Sequence, residues 1–355
     1  MVYDAGDGYL LAEMICVNPS APVAFNSCTW KYQDGSWSEV VSPNGQQPPA
    51  LLADGFVWDA ADGYVLLFGG MVYPSGHALD ASWTYRAGVW TNETSAPTFR
   101  VAPVQAVFDS SASVVLATYE QSVGNGTWDT YVYTYRAGIW TNVTHSSPVP
   151  TGFPIQAQAT DDPADHGVLF FGGVSNHYGV QGNSSWLFVN GSWRHLASTA
   201  SPPVLYFPTL GYDSVDGYVL LVGGLLRNCV ANPCSFSNAV WEFSGGAWKN
   251  TTSTTTGAIP HEAGGVLTTD LSTSSVIEGF GWVGYSGSGI NMFESPQLNL
   301  YSYLAGTWTE VPNRSGAPAV PLPLLAAPLA VAVGGVLAAI VFFRSRAKHR
   351  VSPPR

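Results

Sequence analysis

One short phrase returns six times along this chain: aromatic, spacer, aromatic, two spacers, glycine, spacer, tryptophan. The copies are Trp30, Tyr32, Gly35 and Trp37; Trp83, Tyr85, Gly88 and Trp90; and Tyr133, Tyr135, Gly138 and Trp140. They continue with Trp186, Phe188, Gly191 and Trp193; Trp241, Phe243, Gly246 and Trp248; and Tyr301, Tyr303, Gly306 and Trp308. Successive terminal tryptophans lie 53, 50, 53, 55 and 60 residues apart. Self-similarity at this period requires units that bury their apolar faces against one another, as in a stacked or radial array.

Each unit divides into four short apolar segments. In the second unit, Phe56–Asp59 reads as a strand, Ala60–Gly63 as a turn, and Tyr64–Phe68 as a second strand ending in Gly69-Gly70. A loop of about a dozen residues leads to Ser82–Arg86, where Trp83 and Tyr85 share a face by the period of two. Ala87-Gly88 turns the chain into a fourth strand, Val89–Asn92. The double glycine recurs only at Gly172-Gly173 and Gly223-Gly224. The first, third and sixth units lack it.

Four antiparallel strands repeated six times predict an all-β, six-bladed β-propeller, or seven blades if a unit precedes the chain. The apolar run ending in Gly-Gly, with spaced Tyr and Trp after it, resembles the kelch repeat. It resembles in particular the galactose-oxidase-type propellers of microbial cell surfaces. The resemblance covers about residues 2–311, and the expected propeller domain is 1–311, with units of about 1–45, 46–98, 99–150, 151–202, 203–258 and 259–311.

The C-terminal region differs in composition. Residues 312–321 read as a linker. Residues 322–343 contain no charge and are rich in Leu, Ala and Val, enough helix to cross a hydrocarbon core of about 30 Å. A basic tail, 344–355, follows, and by the positive-inside rule it is cytoplasmic, with the repeats extracellular. A sorting tail removed after export is the alternative, and the basic end fits a retained anchor better. An exported chain of this kind needs an N-terminal signal, and the sequence opens inside a strand pattern. The expectation is that the start is truncated.

Other features agree with an outside location. Asn92, Asn125, Asn142, Asn183, Asn190, Asn250 and Asn313 each head an Asn-x-Ser/Thr acceptor for glycosylation. Cys16 and Cys28, and Cys229 and Cys234, are expected to form two disulfides, each bracing a long loop. For Cys229 and Cys234 the alternative is half a zinc site, and nothing nearby completes one. Residues 1–317 carry eight basic and twenty-four acidic groups, a net charge of −16 that repels phosphate backbones and argues against nucleic acid as a partner.

Chemistry is sparse. The repeated aromatics are expected to pack between sheets. The acidic pairs Asp4/Asp7, Asp59/Asp62 and Asp213/Asp216, and the related Asp161, Asp162 and Asp165, fall at the first turn of their units, where Asp stabilises turns through its own side chain. No metal-ligand spacing appears among the seven histidines. The galactose-oxidase likeness would imply copper ligands and a tyrosine–cysteine crosslink, and no matching motif is present. Asp34-Gly35-Ser36-Trp37 and Gly306-Thr307-Trp308 are similar to the end of the sialidase turn motif but lack its spacing. The reading leans away from an enzyme, with no cofactor and no metal.

The alternation of strands places both tight turns of a unit on one face and both long connections on the other. Binding is expected on the long-loop face. The candidate ligand-binding residues there are Tyr73, His77, Trp128, His177, Tyr178, Trp282 and Tyr285, whose exposed rings suit a glycan. The expected function is binding or adhesion to glycans or surface proteins by a membrane-anchored module. An exported carbohydrate-active enzyme and a structural envelope protein are the alternatives.

Overall fold

The computed structural model describes residues 1–17, 25–52, 54–93, 97, 105–124, 127–151, 153–154, 157–173, 182–197, 200–226, 235–279 and 300–311. These residues form an all-β protein. Its main elements are six antiparallel sheets, each a meander of four strands in chain order. Sheet 1 is built from Val2–Asp4, Tyr9–Val17, Phe25–Gln33 and Ser36–Val40, and sheet 2 from Gly55–Asp59, Tyr64–Phe68, Ser82–Arg86 and Val89–Asn92. Sheet 3 comprises Gln105–Asp109, Val114–Gly124, Thr127–Arg136 and Ile139–Asn142. Sheet 4 comprises Gln158–Asp162, Gly167–Phe171, Ser185–Val189 and Ser192–Leu196. Sheet 5 holds Thr209–Asp213, Tyr218–Val222, Val240–Ser244 and Ala247–Asn250. Sheet 6 holds Val266–Asp270, Ser275–Gly279, Leu300–Leu304 and Thr307–Val311. The short strand Thr256–Gly257 joins the outer edge of sheet 6 in parallel, although it precedes the first strand of that sheet.

The first strand of each sheet touches the first strand of the next, and that of sheet 6 touches that of sheet 1. The backbone N–H of Tyr3 donates to Thr268 Oγ1 (3.2 Å) across this last junction. Six apolar clusters occupy the spaces between neighbouring sheets. One joins Leu11 of sheet 1 to Val65 and Trp90 of sheet 2, and another joins Trp37 of sheet 1 to Ile277 and Leu300 of sheet 6. The repeated aromatics lie in these spaces. Trp90, Trp308, Tyr85, Tyr135 and Tyr303 are among the largest fully buried side chains. Packing between sheets, the expectation for these residues, is what they do.

The terminal tryptophans of sheets 2, 3 and 5 bond the residue just before the first aromatic of the preceding sheet. Where that residue is Ser or Thr, a hydrogen bond forms: Trp90 Nε1 to Thr29 (2.7 Å), Trp140 to Ser82 (2.9 Å) and Trp248 to Ser185 (2.8 Å). Where it is Val132, Trp193 donates to the backbone oxygen of Ser147 instead (3.3 Å). Where it is Val240, the buried indole N–H of Trp308 has no hydrogen-bond partner.

The turn aspartates also behave as expected. Oδ1 of Asp4 accepts the N–H groups of Gly6 (3.0 Å) and Asp7 (3.1 Å). Asp59, Asp109, Asp213 and Asp270 repeat the arrangement with the N–H groups two and three residues on. The second aspartate starts a relay to the next sheet. Tyr9 donates to Asp7 (2.9 Å) and meets the Tyr85 hydroxyl (2.7 Å). Tyr64 links Asp62 to Tyr135 in the same way, and Tyr218 links Asp216 to Tyr303. Asp165, lacking such a tyrosine, accepts directly from Gly246 N of sheet 5 (3.0 Å).

No helix among the described residues is long and apolar enough to cross a membrane. The apolar segment 322–343, the linker 312–321 and the basic tail 344–355 lie outside the described residues.

Candidate functional site

In sheets 2, 4 and 5 the double glycine ends the second strand on the side of the long connections. Gly69-Gly70, Gly172-Gly173 and Gly223-Gly224 all take positive φ, between 64° and 85°, which ends a strand. Without a Cβ, Gly70 also lies against the backbone of Leu52 and Asp54. Sheets 1 and 3 lack these glycines, and their second strands run on. They form hairpins of nine and nine residues in sheet 1, and of eleven and ten in sheet 3, against five-residue strands at the same positions in sheet 2. The long loops expected in these two units are thus mainly antiparallel ladder. The disulfide Cys16–Cys28 joins the two strands of the first hairpin at a Cα separation of 5.8 Å, diagonally across the rungs Met14–Cys28 and Cys16–Asn26. It staples the two strands of this hairpin, as the sequence reading expected of this pair. Cys229 and Cys234 lie outside the described residues.

Sheet 2 stands between the two extended hairpins. Its own long connection, Met71–Val72 and His77–Ala78, forms a small sheet with Leu51–Leu52 of the segment that arrives from sheet 1. Tyr73 projects from it, and its ring meets Phe25 of the first hairpin edge-on, with centroids 4.5 Å apart. His77, on the same small sheet, is exposed. In the third sheet's hairpin, Tyr119 stacks on Tyr131 (5.1 Å, 17° between planes) and tilts against Tyr133 (5.9 Å), on the face turned towards sheet 2. Trp128 pairs with Ser122 and, by the period of two, belongs to the opposite face of that hairpin.

Of the seven candidate ligand-binding residues, the structure therefore places Tyr73 and His77 on one element and Trp128 on another, facing away. His177, Tyr178, Trp282 and Tyr285 lie outside the described residues. Phe25 and Tyr131 were not singled out from the sequence. A partial signal is the absence of the double glycine in units 1 and 3, although unit 6 lacks it too and the second strand described there, Ser275–Gly279, has five residues.

A pair of acids lies where the first hairpin meets sheet 2. Glu13, on the second strand of sheet 1, accepts a hydrogen bond from the Ser27 hydroxyl, and Asp54 precedes the first strand of sheet 2. Burial pushes the Glu13 carboxyl up to about 8, with the charge of Asp54 adding to it, and burial raises Asp54 as well. A second pair, Glu262 and Glu278, is enclosed between sheets 5 and 6. Among the described residues, no group of three or more His, Cys, Asp or Glu is placed to hold a metal ion.

The acceptor asparagines sit mostly beside the long connections. Asn92, Asn142 and Asn250 end fourth strands and are exposed. Asn142 Oδ1 accepts from Thr144 N (3.0 Å), and Asn250 Oδ1 from Thr252 N (3.0 Å). Asn183 donates to the backbone oxygen of Pro202 (2.9 Å), and Asn190 occupies the tight turn between third and fourth strands of sheet 4. Asn125 and Asn313 lie outside the described residues.

The tight-turn end has its own features. A shallow open groove of about 550 Å³ between sheets 1 and 2 is lined by Asp7, Lys31, Gln33, Glu39 and Val41, with Lys31 Nζ 5.2 Å above the Tyr9 ring. Ile139, Val215, Leu271 and Leu304 are exposed aliphatics at tight turns of sheets 3, 5 and 6.

No protein-family model matches this chain, and no curated protein matches it.

Proposed function

We propose that the six sheets are the blades of a six-bladed propeller of the kelch type, displayed outside a membrane on the apolar segment 322–343, and that it binds glycans or surface proteins. The cyclic order of first-strand contacts supports six blades. The binding reading rests mainly on one observation: two hairpins, one of them disulfide-stapled, rise on either side of the Tyr73 connection and turn aromatic rings towards it. Rings held on paired strands lose little freedom when a flat ligand stacks on them. Sugars offer such a face, and the body's net negative charge disfavours anionic ligands.

The test is binding of the full chain to a glycan array and to surface proteins in pull-down, repeated with Tyr73→Ala and with Leu271→Ala. Loss of a ligand with Tyr73→Ala alone supports the long-connection side. Loss with Leu271→Ala alone moves the site to the tight-turn side, and absence of any ligand removes the binding reading.

A second reading, a carbohydrate-active enzyme, is favoured by the Glu13–Asp54 pair. Carboxyls from two sheets with raised affinity for protons are the kind of groups that carry general acid–base chemistry. Turnover of a glycan that disappears with Glu13→Gln would establish it.

A further inference from the structure

The chain between sheets 5 and 6 crosses the end of sheet 5 and is tied down there by its backbone. Gly224 N donates to the Glu262 carbonyl (2.8 Å), and Gly264 N donates to the Phe207 carbonyl (2.8 Å). Gly223 permits this approach, because a Cβ at that position would meet the Glu262 carbonyl oxygen. The segment then sends the Glu262 side chain into the space between the sheets, where it meets Glu278 of the second strand of sheet 6. Exposure is 2% for Glu262 and 0% for Glu278. Gly265 leaves room for the Glu278 carboxyl, which also receives the Thr209 hydroxyl from sheet 5 (3.5 Å).

Among the described residues, no cation is placed against these two acids. Thr209, Gly223, Gly224 and Gly265, which close around them, are uncharged. Tyr301, opposite Glu278 on the third strand, is a phenol, and His261, beside Glu262, is exposed. Asp270 and Tyr303 belong to the tight-turn ends of their strands. The two carboxyls face each other in this space, and Glu262 Oε1 and Glu278 Oε2 are buried with no hydrogen-bond partner. Two carboxylates enclosed side by side repel each other. One of them holds a proton, and losing it would leave two like charges enclosed where no described residue supplies a cation.

We propose that Glu262 and Glu278 form a pH-operated clasp, closed while the two carboxyls share a proton and released when both ionise. Release frees the connection 258–265 from the long-connection end of sheet 5. Burial raises both groups, Glu278 well above the ordinary glutamate range, so the closed form spans acidic conditions and opening requires a rise in pH. The clasp is independent of the binding reading.

The experiment is amide hydrogen exchange of the full chain from pH 5 to pH 9, corrected for intrinsic rates and followed at Gly224 and Gly264. Once the pair begins to ionise, the opening constant at these amides should rise about tenfold per pH unit, the signature of one released proton. Glu278→Gln, which keeps a neutral side chain of the same shape, should remove that rise. Gly172, whose N–H donates to Ser184 O in sheet 4 (3.0 Å), should not show it. Equal pH dependence at Gly172, or an unchanged rise in Glu278→Gln, overturns the proposal. Should Glu278→Gln fail to fold, Glu262→Gln serves in its place. A flat wild-type profile at Gly224 refutes the clasp without any variant.

Discussion

Ser185→Ala isolates the hydrogen bond that ties one sheet to the next. Ser185 is 3% exposed, and its Oγ accepts the indole N–H of Trp248, itself 4% exposed, at 2.8 Å. The substitution removes one oxygen and leaves almost no cavity, so the cost is that of a buried N–H left unbonded, about 1–3 kcal/mol. Val240→Thr runs the experiment backwards. Val240 stands at the equivalent position one sheet on, against a Trp308 N–H that has no acceptor. A hydroxyl there satisfies the orphan donor at the cost of burying the new group, for an expected net gain of about 0.5–1 kcal/mol. Urea unfolding of both variants measures the effect as a shifted midpoint at unchanged slope. For the about 250 described residues, 1 kcal/mol moves the thermal midpoint by only about 2 °C, which makes the chemical transition the better assay. A neutral Ser185→Ala together with a destabilising Val240→Thr would refute the reasoning.

Further outcomes follow from the same structure. Gly223→Ala should cost upwards of about 2 kcal/mol in unfolding experiments, because φ is +70° and the new Cβ meets the Glu262 carbonyl. Gly88→Ala, at φ +80° with open space around it, should cost less, about 1 kcal/mol. Reduction of Cys16–Cys28, 12 residues apart, should lower stability by about 2–3 kcal/mol and leave the other five sheets intact by circular dichroism. Thermal stability should fall as pH rises from about 4 to 8. Burial lifts Asp4 and Asp161 to about 6, Asp162 to about 7 and Glu13 to about 8, so the folded chain holds protons that the unfolded chain has released. A midpoint that increases between pH 5 and pH 8 would contradict this.

Much of the strand pattern was legible locally. Tyr64–Phe68, Ser82–Arg86 and Val89–Asn92 are strands in the structure with the same bounds as in the sequence reading. Apolar alternation, positive-φ glycines and turn aspartates are all encoded within a few residues of where they act. The candidate site was read less well. Trp128 was placed in a loop because the aromatic phrase of its unit begins only at Tyr133. The chain instead pairs from Thr127 onward, and that pairing sends Trp128 to the face opposite the tyrosine row. A period-two pattern states which residues share a face, but a ladder must be extended before the end of a strand acquires one.

By itself, the sequence determined six units, their four strands, the tight turns and the burial of the aromatic phrase, because each depends on local periodicity and backbone preference. Only the tertiary structure decided which donors meet which acceptors across the gaps between sheets. Trp90 reaches Thr29 61 residues away, and Tyr3 reaches Thr268 across 265 residues. It also decided which acids would be enclosed together. Glu262 and Glu278 sit on separate segments whose register is set by the packing of sheet 6 on sheet 5. Local patterning carries no information on such encounters, since they depend on how two finished sheets are stacked.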